Sequence, residues 1–155
     1  MYSFFEKVFY VLGSITSHDK IRVGGWYGND TIWRTILDLN TIINYADAQG
    51  IIQNNIQRKM LNFGDMIICG QKNGPVKPTP KPLGMLMASD NSYDFDTTMC
   101  KIMGFKYDMI KYISAYANTN EKNIEVIFNG KKNKLTEMPI KDNWKFEPHD
   151  MWKEI

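Results

Sequence analysis

The sequence predicts an α/β fold: a small, mostly parallel or mixed sheet flanked by helices, belonging to a larger parent fold. Three observations carry this. Apolar residues recur at helical spacing over 32–46. Two short apolar runs, 65–69 and 83–88, read as buried strands on either side of a proline-rich stretch. A third β-rich run, 124–128, follows two helical segments, and three strands are few for a free-standing sheet.

The bulk composition bounds the rest. At 155 residues the chain suits one α/β domain spanning 1–155. Hydrophobic residues are 43% and charged residues 23%, enough apolar surface for a core, so disorder is not the default. Net charge is +2 and the pI about 8.4, short of the basic footprint of a nucleic-acid binder. Cys69 and Cys100 stand 31 positions apart, too few for a disulfide scaffold. With His18 and His149 distant from them, no metal site is expected, and a reducing, cytoplasmic setting is. No cofactor can be named.

Taken in order, residues 1–16 predict a short amphipathic helix, since Phe5, Val8, Phe9 and Leu12 follow helical spacing. Glu6 and Lys7 interrupt the segment, so it neither spans a membrane nor makes a signal peptide. Its aromatic face packs on the rest of the protein or on a missing part of it. Residues 17–30 are a Gly-rich loop, running through Gly24-Gly25-Trp26-Tyr27-Gly28-Asn29-Asp30-Thr31 into the next helix, which Asp30 or Thr31 caps. That helix carries Ile32, Ile36, Leu39, Ile43 and Ala46 toward the core and ends at Gly50.

Four prolines, Pro75, Pro78, Pro80 and Pro82, with Lys72, Lys77 and Lys81 among them, make residues 71–82 a long extended loop. An acidic turn, 89–96, leads into a helix over 97–105 with Asp96 as N-cap and a stop near Gly104. A further helix covers about 108–117. Asn129-Gly130 marks a hairpin after the third strand. The tail, 136–155, wraps the surface, held by Trp144 and Trp152.

Several stretches in fixed order resemble a known family: Gly25-Trp26-Tyr27-Gly28-Asn29-Asp30-Thr31-Ile32-Trp33-Arg34, Asp38-Leu39-Asn40, Tyr45-Ala46-Asp47, Asp65-Met66-Ile67-Ile68-Cys69-Gly70, Asn73-Gly74-Pro75, and Asp96 ahead of Ile102-Met103-Gly104-Phe105. Residues 20–113 are similar to the C-terminal half of the bacterial and archaeal "domain of unknown function 362" family. The resemblance implies an uncharacterised, prokaryotic-type protein. It also implies a missing upstream half, so that this chain is a fragment or a shortened member. Some family members carry iron–sulfur modules, but the Cys-rich motif for one is absent here. The chain also departs from the family ahead of Asp96, where Asn91-Ser92 stands in place of an Asn-Pro lead-in.

Six residues form the candidate ligand site: Asn29, Asp30, Arg34, Asp38, Asn73 and Asp96. Asp30, Arg34 and Asp38 share a helix face at spacings of four, beside a helix N-terminus and glycines that admit a ligand's approach. Their structural alternative is a surface ion-pair ladder with an N-cap. Asn73 opens the lysine-bearing loop, which is either a lid over an acidic ligand or a plain connector. The Asp90–Asp96 turn lacks the Gly and Glu of a calcium loop, Phe95 and Lys101 standing there instead. No catalytic residue is identifiable. Two functions stay open: an enzyme or enzyme half binding a small anionic or metal-bridged ligand, and a non-catalytic interaction module. The module would complete a larger protein or complex, or self-associate, through the aromatic N-terminal helix. Convergence of the Gly-rich loop, the Asn73 loop and Asp96 in one cleft favours the first; separate surfaces with exposed apolar side chains favour the second.

Overall fold

A computed structural model describes residues 31–74, 77–120 and 123–150. The expected aromatic helix at 1–16, the Gly-rich loop with Asn29 and Asp30, and Trp152 lie outside the described residues. The described elements run α1 (Ile32–Tyr45), β1 (Asn62–Asn73), β2 (Lys77–Ser89), α2 (Ser92–Met103), a 3-10 turn (Tyr107–Met109), α3 (Lys111–Asn120), β3 (Glu125–Phe128) and β4 (Lys131–Lys134). Two further 3-10 turns, Leu135–Glu137 and Asp142–Trp144, follow.

Helix α1 forms where the helical apolar spacing predicted it, but it ends at Tyr45 rather than at Gly50. Its orphan carbonyls are taken by Arg58, whose Nη1 donates to the oxygens of Ile43 at 2.8 Å and Ala46 at 2.7 Å. Gly50 instead closes a separate turn at φ 81°, where its N–H meets the Asp47 carbonyl. Thr31 holds the N-cap position without a side-chain capping bond.

The face of α1 is also not the expected one. Trp33, Leu37, Asn40 and Asn44 are half-buried, and Lys111 of α3 stands 5.8 Å from the Trp33 ring. The predicted stripe is divided: Ile32, Leu39 and Ile43 are 65, 52 and 45% exposed, while Ile36 is half-buried and Ala46, just past the helix, is buried. The periodicity identified the helix correctly but not which of its two stripes is turned to the protein.

The expected parallel or mixed sheet is replaced by two antiparallel hairpins, β1–β2 and β3–β4. The cause lies in the proline-rich stretch. Lys77–Pro82, expected as loop, is the first half of β2, paired with Ile68–Asn73. Pro78, Pro80 and Pro82 alternate, so every missing N–H falls on the strand's outer edge while the residues between them face β1. Gly70 leaves room for this ladder, since a Cβ there would lie 2.7 Å from Pro78 Cβ. The register slips once: Met66 pairs with Met85 but Ile68 with Pro82, and Gly84 takes φ 67° at the extra residue.

Local punctuation matches expectation where glycine is involved. Gly104 ends α2 at φ 79°, its N–H meeting the carbonyls of Cys100 and Lys101. Asn129 and Gly130, at φ 49° and 75°, make the two-residue turn between β3 and β4. The start of α2 differs. Asn91 is the N-cap, its Oδ1 accepting from the N–H groups of Tyr93 and Asp94, so the helix begins five residues earlier than predicted and Asp96 sits inside it.

The core joins Ile102 of α2, Ile124, Leu135, Met138 and Trp144, with Leu83, Met85, Val126 and Phe128 against it. Trp144 meets Phe128 edge-to-face at 5.5 Å. Trp144 thus ties this part of the chain to the core. It continues along β1, where Glu147 accepts from the Lys72 N–H, and Phe146 N–H donates to Met103. Among the described residues no helix is long and apolar enough to cross a membrane.

Candidate functional site

The strongest polar constellation lies between α2 and α3. Asn91 caps α2, which places Asp94 and Asp96 on the helix's first two turns. Asp94 Oδ1 accepts from the Tyr116 hydroxyl at 3.0 Å, and Asp96 Oδ2 from the Tyr112 hydroxyl at 3.2 Å. Asn91 Nδ2 donates to the Tyr116 oxygen at 3.2 Å. Tyr112 and Tyr116 stand four apart on α3, and Asp94 and Asp96 two apart on α2, which makes two parallel phenol–carboxylate contacts. Tyr93 stacks on Tyr116 at 4.6 Å.

Burial dominates the electrostatics here. It raises the carboxyl pKa of Asp94 and Asp96, the tyrosine hydrogen bonds opposing it in each case. It likewise raises Tyr112, with Asp96 adding to the rise, and pushes Tyr116 up to about 12. The Cys100 thiol, deeper in the same helix pair, is pushed up to about 11 by burial and by Asp96 and Asp108, so it is protonated and unreactive at neutral pH. Both phenols stand as donors to the carboxylates beside them. Sequence spacing did not reveal the pairs, because nothing local announces that α3 lies against α2.

The other candidates are dispersed. Asn73, at the end of β1, binds the tail: its Nδ2 donates to Asp150 Oδ2 at 3.0 Å. Lys72 beside it pairs with Glu147 at 2.9 Å. The lysine loop is therefore a strand strapped by the tail, not a lid. Arg34 lies 5.1 Å from the ring of its neighbour Trp33, exposed on α1. Asp38 is exposed on the same helix. Asp30 lies outside the described residues, so the expected Asp30–Arg34–Asp38 face is described only in its last two members. Asn73 and Asp96 do not meet: one is tied to the tail, the other to α3.

A shallow cavity of about 290 Å³ opens where the tail crosses the end of β1, lined by Gly70, Lys72, Met103, Phe105, Phe146 and His149 among others. Lys72 and Gly74, on either side of Asn73, line it, and among the described candidates neither Arg34, Asp38 nor Asp96 does. Among the described residues no group of three His, Cys, Asp or Glu side chains is placed to hold a metal ion.

What the surface does present is apolar. On one face of the β1–β2 hairpin, Phe63, Ile67 and Leu86 are each more than half exposed, with Leu61 just before them; Ile68, exposed as well, points to the other side of β1. Phe63 pairs with Ala88 and Asp65 with Leu86, so Phe63 and Leu86 are diagonal neighbours on one face. Comparisons with protein-family models, with curated proteins and with solved structures return no match.

Proposed function

We propose that this chain is a non-catalytic interaction module that completes a larger assembly, the outer face of the β1–β2 hairpin being its contact surface. One observation carries this: Asn73 and Asp96 are bound up in separate structural contacts, while the hairpin turns Phe63, Ile67 and Leu86 to solvent on one face. The expected contact element was the aromatic N-terminal helix; the hairpin face takes that part here. The proline ladder closes the outer edge of β2 to strand pairing, which leaves the face itself for association.

A second copy of the chain is the first partner to test. Sedimentation at rising concentration is expected to show association in the parent protein. The Phe63→Ser, Leu86→Ser double variant should remain monomeric with its unfolding midpoint nearly unchanged. A thermal-shift panel of divalent metals, nucleotides and sugar phosphates decides against the alternative of a ligand-binding enzyme. A ligand-induced rise in midpoint that Arg34→Ala or Asp96→Asn removes would overturn the interaction reading.

A further inference from the structure

Residues 147–150 cross the end of β1 and are gripped there by polar groups. Two amide side chains, two positions apart on β1, repeat one arrangement. Gln71 Oε1 accepts from the Glu147 N–H at 3.0 Å, and Gln71 Nε2 stands 3.5 Å from the Glu147 carboxylate. Asn73 Nδ2 donates to the Asp150 carboxylate at 3.0 Å, and Asn73 Oδ1 stands 3.5 Å from the Asp150 N–H. Between the two, the Lys72 N–H donates to the Glu147 carbonyl at 3.0 Å, and Lys72 Nζ pairs with the Glu147 carboxylate at 2.9 Å.

Three features separate this strap from the core. Full burial ends with Phe146, whose N–H is tied to the Met103 carbonyl at 2.8 Å; past it Glu147 and Asp150 are exposed, and Pro148 and His149 half-buried. The strap shares the walls of the cavity of about 290 Å³ with Met103 and Phe105, so its inner side is incompletely packed. Lys72, to which it is fixed, takes φ 63°, a left-handed conformation that costs a residue with a Cβ and persists where contacts hold it. A surface ion pair and exposed hydrogen bonds exchange readily for water, and their loss lets Lys72 relax.

We propose that residues 147–150 are a strap that opens as a unit while the core stays folded. Its closure governs access to the outer edge of β1 at Lys72 and to the cavity walls Met103 and Phe105. Lys72 is paired with Pro78, whose missing N–H shuts the β2 edge at this end of the hairpin. The strap shuts the opposite edge, and unlike a proline it can be lifted.

Amide exchange on the full chain tests the opening. The Lys72 and Glu147 amides are expected to be at least about a hundredfold less protected than the Leu135 amide, which donates to Ile124 inside the core. Equal protection would mean that the strap opens only when the core does, and would overturn the proposal. Gln71→Ala with Asn73→Ala should lower protection at Lys72 by at least about tenfold and leave Leu135 as it was. No change at Lys72, or an equal change at Leu135, overturns it too. Access to the cavity is read by thiol labelling of Met103→Cys in a Cys69→Ser background, the remaining Cys100 being buried. Labelling should accelerate when the two amide substitutions are added; an unchanged rate refutes the gating. None of these readouts uses the apolar hairpin face, so failure here and failure of the interaction reading are distinguishable.

Discussion

Leu135→Ala tests whether the tail and the β3–β4 hairpin share one core. Leu135 is 0% exposed, and its N–H donates to Ile124 O at 2.9 Å. It packs with Ile102, Ile124, Met138 and Trp144. Truncation to alanine deletes three carbons, worth about 2.4 kcal/mol at roughly 0.8 kcal/mol each. The cavity left among large rigid neighbours adds to this, giving about 3–4 kcal/mol. For a chain of this size each kcal/mol moves the midpoint by about 2–4 °C, so a fall of about 6–16 °C is expected. The control is Ile127→Ala in β3, a side chain 73% exposed, whose loss should stay within about 0.5 kcal/mol. Urea unfolding of both variants reads the difference. A Leu135→Ala cost below about 1 kcal/mol, or an equal cost at Ile127, would refute a core built from the tail.

Two further outcomes are expected. Thr97 is fully buried in α2 and its hydroxyl finds no partner among the described residues, so Thr97→Val should raise stability by about 1 kcal/mol in the same urea assay; a loss of stability would show that the hydroxyl is bonded. Asp94 and Asp96 both have carboxyl pKa values raised above 3.8 by burial, so the folded chain keeps protons that the unfolded chain releases. Their contribution therefore falls as pH rises from the ordinary aspartate range through the raised values, and is level above them. Asp47 and Asp142 are shifted the other way, so the comparison must be with the Asp94→Asn, Asp96→Asn variant, not with the parent alone. The stability difference, parent minus variant, should fall across that window; a rise would mean that the Tyr112 and Tyr116 bonds outweigh desolvation.

Much of the fold was legible where a single residue type decides a backbone angle. Gly104 stops α2 and Asn129-Gly130 turns β3 into β4 because few other residues reach those dihedrals cheaply. Proline misled for the opposite reason. It removes a donor, and a strand tolerates that loss wherever the donor would have faced outward; three prolines at alternate positions meet that condition, and the spacing was the available signal. Gly84 inside an apolar run was likewise a readable sign of a bulge. Asp96 was placed at a helix start because Thr97 and Thr98 follow it, yet Asn91, with Tyr93 and Asp94 donating to it, caps the helix a turn and a half earlier.

The site was less legible because its grouping depended on which helix faces meet. The spacing Asp30–Arg34–Asp38 is real as a helix face, but a face becomes a site only if a second element closes over it, and α1 turns its Trp33–Asn44 stripe to α3 instead. The same rotation that leaves Arg34 and Asp38 at the surface leaves Ile32, Leu39 and Ile43 there too. One orientation of one helix thus weakens the ligand-binding reading and leaves apolar side chains at the surface. The side chain that reaches α3 is one the periodicity treated as a flank: Trp33, half-buried, with Lys111 of α3 5.8 Å from its ring.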